Sequence, residues 1–136
     1  MHWEAYSRMP WTIRFADEFE SEFAELSQPV QEELVAQAGL LEHFGPKLGR
    51  PRVDILNGSK HANMKELRFD ADGGVWRVAF AFDPRREAVL LVAADKSGGS
   101  EKRFYRALIR QADARFDAHL SSLREKRERT GRWDGR

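Results

Sequence analysis

Three hydrophobic segments joined by short turns constrain the fold of this chain more than any other feature. The segments are MKELRF (64–69), VWRVAFAF (75–82) and AVLLVAAD (88–95), separated by DADGG and DPRRE. Their β-branched and aromatic residues are typical of strands. Asp72-Gly73 predicts a two-residue type I′ hairpin turn, and Asp83-Pro84 predicts a wider turn. Because connections this short join antiparallel neighbours, we predict an antiparallel meander.

Other segments predict helices around this meander. WTIRF (11–15) predicts a strand, and residues 16–26 and 27–44 predict two helices with apolar stripes, the second stopped by Gly45-Pro46. Residues 46–63 contain too much Gly and Pro for a regular element and predict a basic connector, in which Val53, Ile55 and Leu56 reach the core. Residues 101–124 predict a third helix.

The element order predicts an α+β fold, in which an N-terminal strand and a helical hairpin pack on an antiparallel meander with a C-terminal helix. We expect one domain over residues 1–136, with a core at about 11–123 and a flexible tail at 125–136. The chain lacks cysteine, a long apolar run and a basic-then-apolar signal pattern. These features favour a cytoplasmic protein without disulfides or a membrane span.

The charge of the chain is unevenly distributed. Residues 1–45 contain nine acidic residues against Arg8 and Arg14, a net charge of −7. Because the whole chain carries +1, residues 46–136 carry +8. A basic face attracts phosphate backbones. The alternative is that solvated helices merely differ in charge.

The predicted turn at Asp72-Gly73 fixes the pairing of its two strands. Arg68 then faces Arg77, and the core side holds four apolar residues: Leu67, Phe69, Trp76 and Val78. The two arginines point away from the core. Since facing like charges are unfavourable, something negative must lie between them. One candidate is Glu66, which would make a salt-bridged sheet surface; the other is a bound phosphate, which guanidinium pairs fit well.

Further cationic or aromatic side chains are expected near this arginine pair. They come from three segments: Lys60, His61 and Lys65 from the connector and first meander strand, Lys96 from after the last strand, and Lys102, Arg103 and Tyr105 from the third helix. The histidines are scattered, with no pattern of closely spaced metal ligands. We therefore expect neither a metal site nor a cofactor.

The order of these motifs resembles the RelE/ParE toxin superfamily, and in particular its HigB-like, phage-derived branch of type II toxin–antitoxin modules. The likeness lies in KELRF, WRVAFAFDPRREAVLLVAADKSG and FYRALIRQADARFDAHL, and in the helical hairpin before them. It covers about residues 11–123. The resemblance implies a RelE-like fold and a metal-independent endoribonuclease that cleaves mRNA in the ribosomal decoding site. It also implies a cognate antitoxin, usually a helix-turn-helix protein, with which the toxin forms a hetero-oligomer.

The resemblance also suggests roles for individual residues. Arg68 and Arg77 would stabilise charge on the phosphate, and Tyr105 would stack on a base or help proton transfer. His61 or Lys65 would be the general base. The remaining cations would bind RNA: Lys60, Lys96, Lys102 and Arg103. Two alternatives stay open, namely a ParE-like inhibitor that binds DNA gyrase without catalysis, and a degenerate member that only binds RNA.

Overall fold

The computed structural model describes residues 10–134, with side chains up to residue 129. Residues 1–9 of the predicted domain and residues 135–136 of the predicted tail lie outside this range. In chain order, the elements are β1 (Thr12–Phe15), α1 (Asp17–Ala24), α2 (Gln28–Phe44), a 3₁₀ turn (Gly45–Lys47), β2 (Val53–Ile55), β3 (Lys65–Ala71), β4 (Gly74–Phe82), β5 (Glu87–Asp95) and α3 (Glu101–Asp134). Within these residues, no helix combines the length and apolar character that crossing a membrane requires.

The strands form one mixed sheet in the order β1-β5-β4-β3-β2. β3, β4 and β5 form the predicted antiparallel meander, and β1 pairs in parallel with β5. Helix α1 packs against β5, α2 against β3, and α3 against β4 and β5. The predicted α+β architecture is therefore confirmed.

The hairpin between β3 and β4 has the predicted turn and register. Asp72 and Gly73 have φ angles of 52° and 75°, as the two central residues of a type I′ turn require. Arg68 pairs with Arg77, as predicted. Leu67 and Val78 also pair and are fully buried, whereas Trp76 is only partly buried.

The helices bury the predicted apolar stripes. Phe19 of α1 is almost completely buried, and so are four residues of α2: Val30, Leu34, Ala38 and Leu41. Asp17, Glu18 and Glu20 occupy the first turn of α1, where the helix dipole favours negative charge. The stripe of α3 is buried at Leu108, Ala112 and Phe116.

Two segments differ from the sequence-based expectation. Part of the connector forms β2, an edge strand antiparallel to β3. Val53 and Leu56 are buried as expected, but Ile55 is 57% exposed. Helix α3 continues to Asp134, so its predicted end at residue 124 is wrong. The flexibility of the tail stays a prediction.

Candidate active site

Arg68 and Arg77 lie opposite each other, and the buried Glu66 carboxylate lies between them. Oε1 of Glu66 is 3.5 Å from Nε of Arg77, and Oε2 is 3.9 Å from Nε of Arg68. This carboxylate offsets the repulsion between the two guanidinium groups. Of the two negative groups expected between the arginines, Glu66 or a bound phosphate, Glu66 therefore occupies this position and makes a salt-bridged sheet surface.

Arg77 is buried under the first turns of α3. Its side chain is only 7% exposed, so the expectation that it points away from the interior is wrong. Nε of Arg77 donates a hydrogen bond to the Tyr105 hydroxyl at 3.2 Å, and that hydroxyl donates to Oε1 of Glu66 at 2.8 Å. Nη1 of Arg77 donates to the carbonyl of Trp76 at 2.9 Å. Sequence periodicity did not show that α3 would cover this face.

Glu66, Arg68, Arg77 and Tyr105, here called the arginine network, are thus held by both the sheet and α3. Burial raises the pKa of the Tyr105 phenol, and its hydrogen bond to Glu66 raises the pKa further. The phenol is therefore protonated at neutral pH and can act as a hydrogen-bond donor. Its expected position near the arginines is correct.

Arg68 is the more accessible arginine, with a side chain that is 33% exposed. Its Nη1 lies 4.0 Å from Oδ2 of Asp54 on β2, which is also 3.1 Å from Nη2 of Arg50. The Ile55 N–H and the Arg50 guanidinium hold the pKa of the Asp54 carboxyl below its ordinary value. Sequence reasoning missed Asp54, because the surrounding Gly and Pro residues concealed β2.

An open groove of about 420 Å³ adjoins the arginine network. Three arginines line it, Arg52, Arg68 and Arg77, and so do Glu33, Gln37, Pro51, Phe69 and Asp70. Guanidinium groups bind phosphate oxygens through paired N–H donors. The groove therefore suits an anionic, phosphate-containing ligand, and Arg52 is a cation that sequence reasoning did not assign to this site.

Lys96 lies beside Tyr105, as expected. Its Nζ is 5.8 Å from the centre of the Tyr105 ring and 2.8 Å from Oε1 of Glu101. That ion pair lowers the pKa of the Glu101 carboxyl. Lys102 and Arg103 are exposed in the first turn of α3. They remain available to a ligand that approaches this end of the helix.

Lys65 lies on the other face of the sheet. It precedes Glu66 on β3, so the two side chains point in opposite directions, and Lys65 Nζ is 5.7 Å from the centre of the Phe82 ring. The expectation that Lys65 approaches the arginine pair is therefore wrong. The alternation of strand side chains could have shown this from the sequence.

Lys60 and His61 are bound to α3 rather than to the arginine network. Lys60 forms an ion pair with Asp117, which raises the pKa of the lysine, and Nε2 of His61 lies 2.8 Å from Oδ1 of Asp117. The Lys60 N–H donates to Asp113, and the His61 ring packs edge-on against Phe116. Among residues 10–129, the structure shows no hydrogen bond or ion pair from either side chain to Arg68 or Arg77.

The loop that carries Lys96 is held by Asp95. Oδ1 of Asp95 accepts hydrogen bonds from the Val75 N–H at 3.0 Å, the Ser97 N–H at 2.8 Å and the Ser97 hydroxyl at 2.6 Å. The Ser97 hydroxyl and N–H, followed by the Val75 N–H, lower the pKa of Asp95. This carboxylate therefore stabilises the fold only while it is ionised.

Asp95→Ala is expected to reduce the free energy of unfolding at neutral pH by on the order of 1 kcal/mol, because the carboxylate is largely exposed. Since the folded pKa lies below the ordinary value of 3.8, the stabilisation is complete above that value. It disappears as the pH falls through the folded pKa. Urea unfolding of both proteins from pH 7 to pH 2 measures the difference. A difference that stays constant down to pH 2 would contradict this explanation.

Comparisons with known proteins agree with the fold and the motif order. Residues 21–117 match the family model described as phage derived protein Gp49-like. The chain belongs to this family. It is 44% identical over 100 residues to “Putative toxin HigB3” of Mycobacterium tuberculosis, with 74% of this chain and 85% of that protein covered. It is 41% identical over 101 residues to “Putative toxin HigB2” of the same organism, with 74% of this chain and 50% of that protein covered.

A solved structure also resembles this Gp49-like chain. It is the free state of a mutant of Escherichia coli toxin RelE in which two arginines are replaced by alanine, with a TM-score of 0.54 and 12% sequence identity. The match covers 74% of this chain and 95% of the RelE chain, and it shows a shared fold. The predicted resemblance to the HigB-like branch of the RelE/ParE superfamily is confirmed.

Proposed function

We propose that this chain is the toxin of a type II toxin–antitoxin pair, and that it is an endoribonuclease that cleaves mRNA on the ribosome. The arginine network at the edge of an open groove is the observation that carries the proposal. The relatives named as toxins support it. A cytoplasmic protein with one catalytic domain fits this role.

The proposed reaction is attack of a ribose 2′-oxygen on the adjacent 3′ phosphorus. The new 2′ O–P bond forms as the bond to the 5′ oxygen of the next nucleotide breaks, giving a 2′,3′-cyclic phosphate and a 5′-hydroxyl end. A base accepts the 2′ proton, and an acid protonates the leaving oxygen. Arg68 stabilises negative charge on the phosphoryl oxygens, because it is exposed to the groove.

Glu66 is better placed than His61 or Lys65 to act as the base. It lies against Arg68 and Arg77, whereas His61 is bound to Asp117 and Lys65 lies on the opposite face. Tyr105 is protonated at neutral pH and hydrogen-bonded to Glu66, so we assign it the transfer of a proton to the leaving oxygen. Arg77 holds Glu66 and Tyr105 in position.

Tyr105→Phe is expected to reduce mRNA cleavage by roughly 100-fold, the lower range for loss of a proton-transfer group. The phenyl ring still packs in the same position, but Glu66 loses its 2.8 Å donor. Single-turnover cleavage of a defined message on ribosomes measures the effect. Cleavage within about threefold of the wild type would contradict a role for the hydroxyl.

The remaining cations would guide RNA towards the network. Lys96 lies beside Tyr105, and Lys102 and Arg103 are exposed on the same end of α3. Lys60 is 60% exposed despite its ion pair with Asp117, so it extends the positive surface. Attraction of this kind is weakened by salt. A helix-turn-helix antitoxin is the proposed neutralising partner, in a toxin–antitoxin hetero-oligomer.

Mapping of mRNA 5′ ends after induction in growing cells tests the proposal. Cleaved messages are expected within minutes, and Arg68→Ala is expected to abolish them. Intact messages together with a DNA-damage response would instead indicate the ParE-like inhibition of gyrase. Intact messages without that response would indicate a member that only binds RNA.

A further inference from the structure

Asp83, Glu87 and His119 form a cluster of potential metal ligands away from the arginine network. One ligand atom from each lies within 4.8 Å of those of the other two. Their side chains are 0%, 14% and 11% exposed, respectively. Asp83 and Glu87 flank the turn between β4 and β5, and His119 projects from α3. Glu87 and His119 are 32 residues apart in sequence, and the fold brings their side chains together.

Within the part of the chain that the structure describes, the hydrogen bonds at this cluster leave one carboxylate oxygen without a partner. Oδ1 of Asp83 accepts the N–H groups of Arg85 and Glu87, both at 2.9 Å, and Oδ2 lies 2.7 Å from Nε2 of His119. Oε1 of Glu87, in contrast, is buried and has no hydrogen-bond partner among residues 10–129. An unpartnered buried carboxylate oxygen is costly, and it marks a place where a cation would be stabilised.

Within the described residues 10–129, Glu87 has one weak ion pair. Its other oxygen, Oε2, is 3.7 Å from Nη1 of Arg14, whose side chain is 43% exposed. An ion pair with this separation and this exposure to water contributes little to the stabilisation of the Glu87 carboxylate. Two carboxylates that share a buried site with one imidazole therefore need either a proton or a metal ion between them.

We propose that Asp83, Glu87 and His119 bind a divalent transition-metal ion of the zinc type. One imidazole nitrogen and two carboxylate oxygens are ligands that Zn²⁺ accepts, with a water completing a tetrahedron. At metal–ligand distances of about 2.0–2.2 Å, tetrahedral ligands lie about 3.4 Å apart. The contact of 2.7 Å between Asp83 and His119 must then widen by a fraction of an ångström, which side-chain rotation allows.

The ion would stabilise the fold and take no part in RNA cleavage. His119 is 14 residues beyond Tyr105 on α3, a distance of roughly 21 Å along a helix. A metal here would connect the β4–β5 turn to the middle of α3. It would thereby hold this helix, whose first turns cover Arg77, against the sheet.

Thermal unfolding of the purified full-length chain, without an affinity tag, tests the proposal with ZnCl₂ as the probe. At a Zn²⁺ concentration about a hundredfold above Kd, Tm is expected to rise by about 8 °C. Isothermal titration calorimetry is expected to show one Zn²⁺ ion bound per chain. MgCl₂ should cause no comparable rise, because Mg²⁺ prefers an all-oxygen octahedral site.

Glu87→Gln is the decisive variant, since it removes one ligand while conserving shape. It should lose the Zn²⁺-dependent rise in Tm, and His119→Gln should do the same. His43→Gln, at an exposed histidine on α2, is the matched control and should keep the full rise. Absence of Zn²⁺ binding by the wild type, or an equal rise in Glu87→Gln, would contradict the proposed site.

Discussion

Arg77→Ala is expected to lower the free energy of unfolding by about 3 kcal/mol. The substitution leaves the Glu66 carboxylate buried without its nearest guanidinium, and removing one member of a buried ion pair costs several kcal/mol. It also removes the donor to the Tyr105 hydroxyl. Urea unfolding at pH 7 measures the change, and a loss below about 0.5 kcal/mol, on the order of an ordinary surface substitution, would contradict the buried network.

A double-mutant cycle separates the ion pair from a simple loss of packing. Glu66→Gln combined with Arg77→Ala should restore part of the stability, since no buried charge is then left without a partner. The coupling energy is expected to be about 1 kcal/mol or more. Lys65→Ala is the control, because Lys65 lies on β3 next to Glu66 but its side chain lies on the opposite face of the sheet. Additive effects in the cycle would mean that Arg77 and Glu66 do not interact.

Arg68→Ala is expected to reduce cleavage by roughly 100-fold to 1,000-fold with little loss of stability. These magnitudes are typical for the loss of one group that stabilises transition-state charge. The Arg68 side chain is partly exposed and its ion pairs are long, at 3.9 Å and 4.0 Å, so folding does not depend on it. Single-turnover cleavage and urea unfolding together measure both effects.

Two further variants sharpen the interpretation of Arg68. Arg68→Lys conserves the charge but lacks the planar pair of donors, so it should restore only part of the activity. Lys65→Ala should keep activity within about threefold of the wild type, because Lys65 faces away from the groove. If Lys65→Ala instead lost as much activity as Arg68→Ala, the site would have to include the opposite face of the sheet.

The sequence predicted those features that depend on local rules. Asp72-Gly73 specified a two-residue turn, and that turn specified the pairing of Arg68 with Arg77. The same alternation rule places Lys65 on the opposite face from Arg68, so the error about Lys65 was avoidable. The short strand β2 was harder to predict, because three residues among Gly and Pro carry little periodic signal.

The remaining features depend on how distant elements pack. The burial of Arg77 follows from the position of Tyr105, which is 28 residues away in sequence. The pairing of His61 with Asp117 spans 56 residues, and that of Asp83 with His119 spans 36. No local pattern specifies such contacts, since they depend on where α3 crosses the sheet. The apolar stripe of α3 predicts which residues are buried, but not which polar groups they bring together.

Cleavage of one defined message in purified translation components tests the central claim most directly. The wild-type chain is expected to cut the message only when ribosomes are present, leaving 2′,3′-cyclic phosphate and 5′-hydroxyl ends. Folded Arg68→Ala should leave the message intact under the same conditions. A message that stays intact with the wild-type chain and translating ribosomes, or equal cleavage by Arg68→Ala, would contradict the proposed activity.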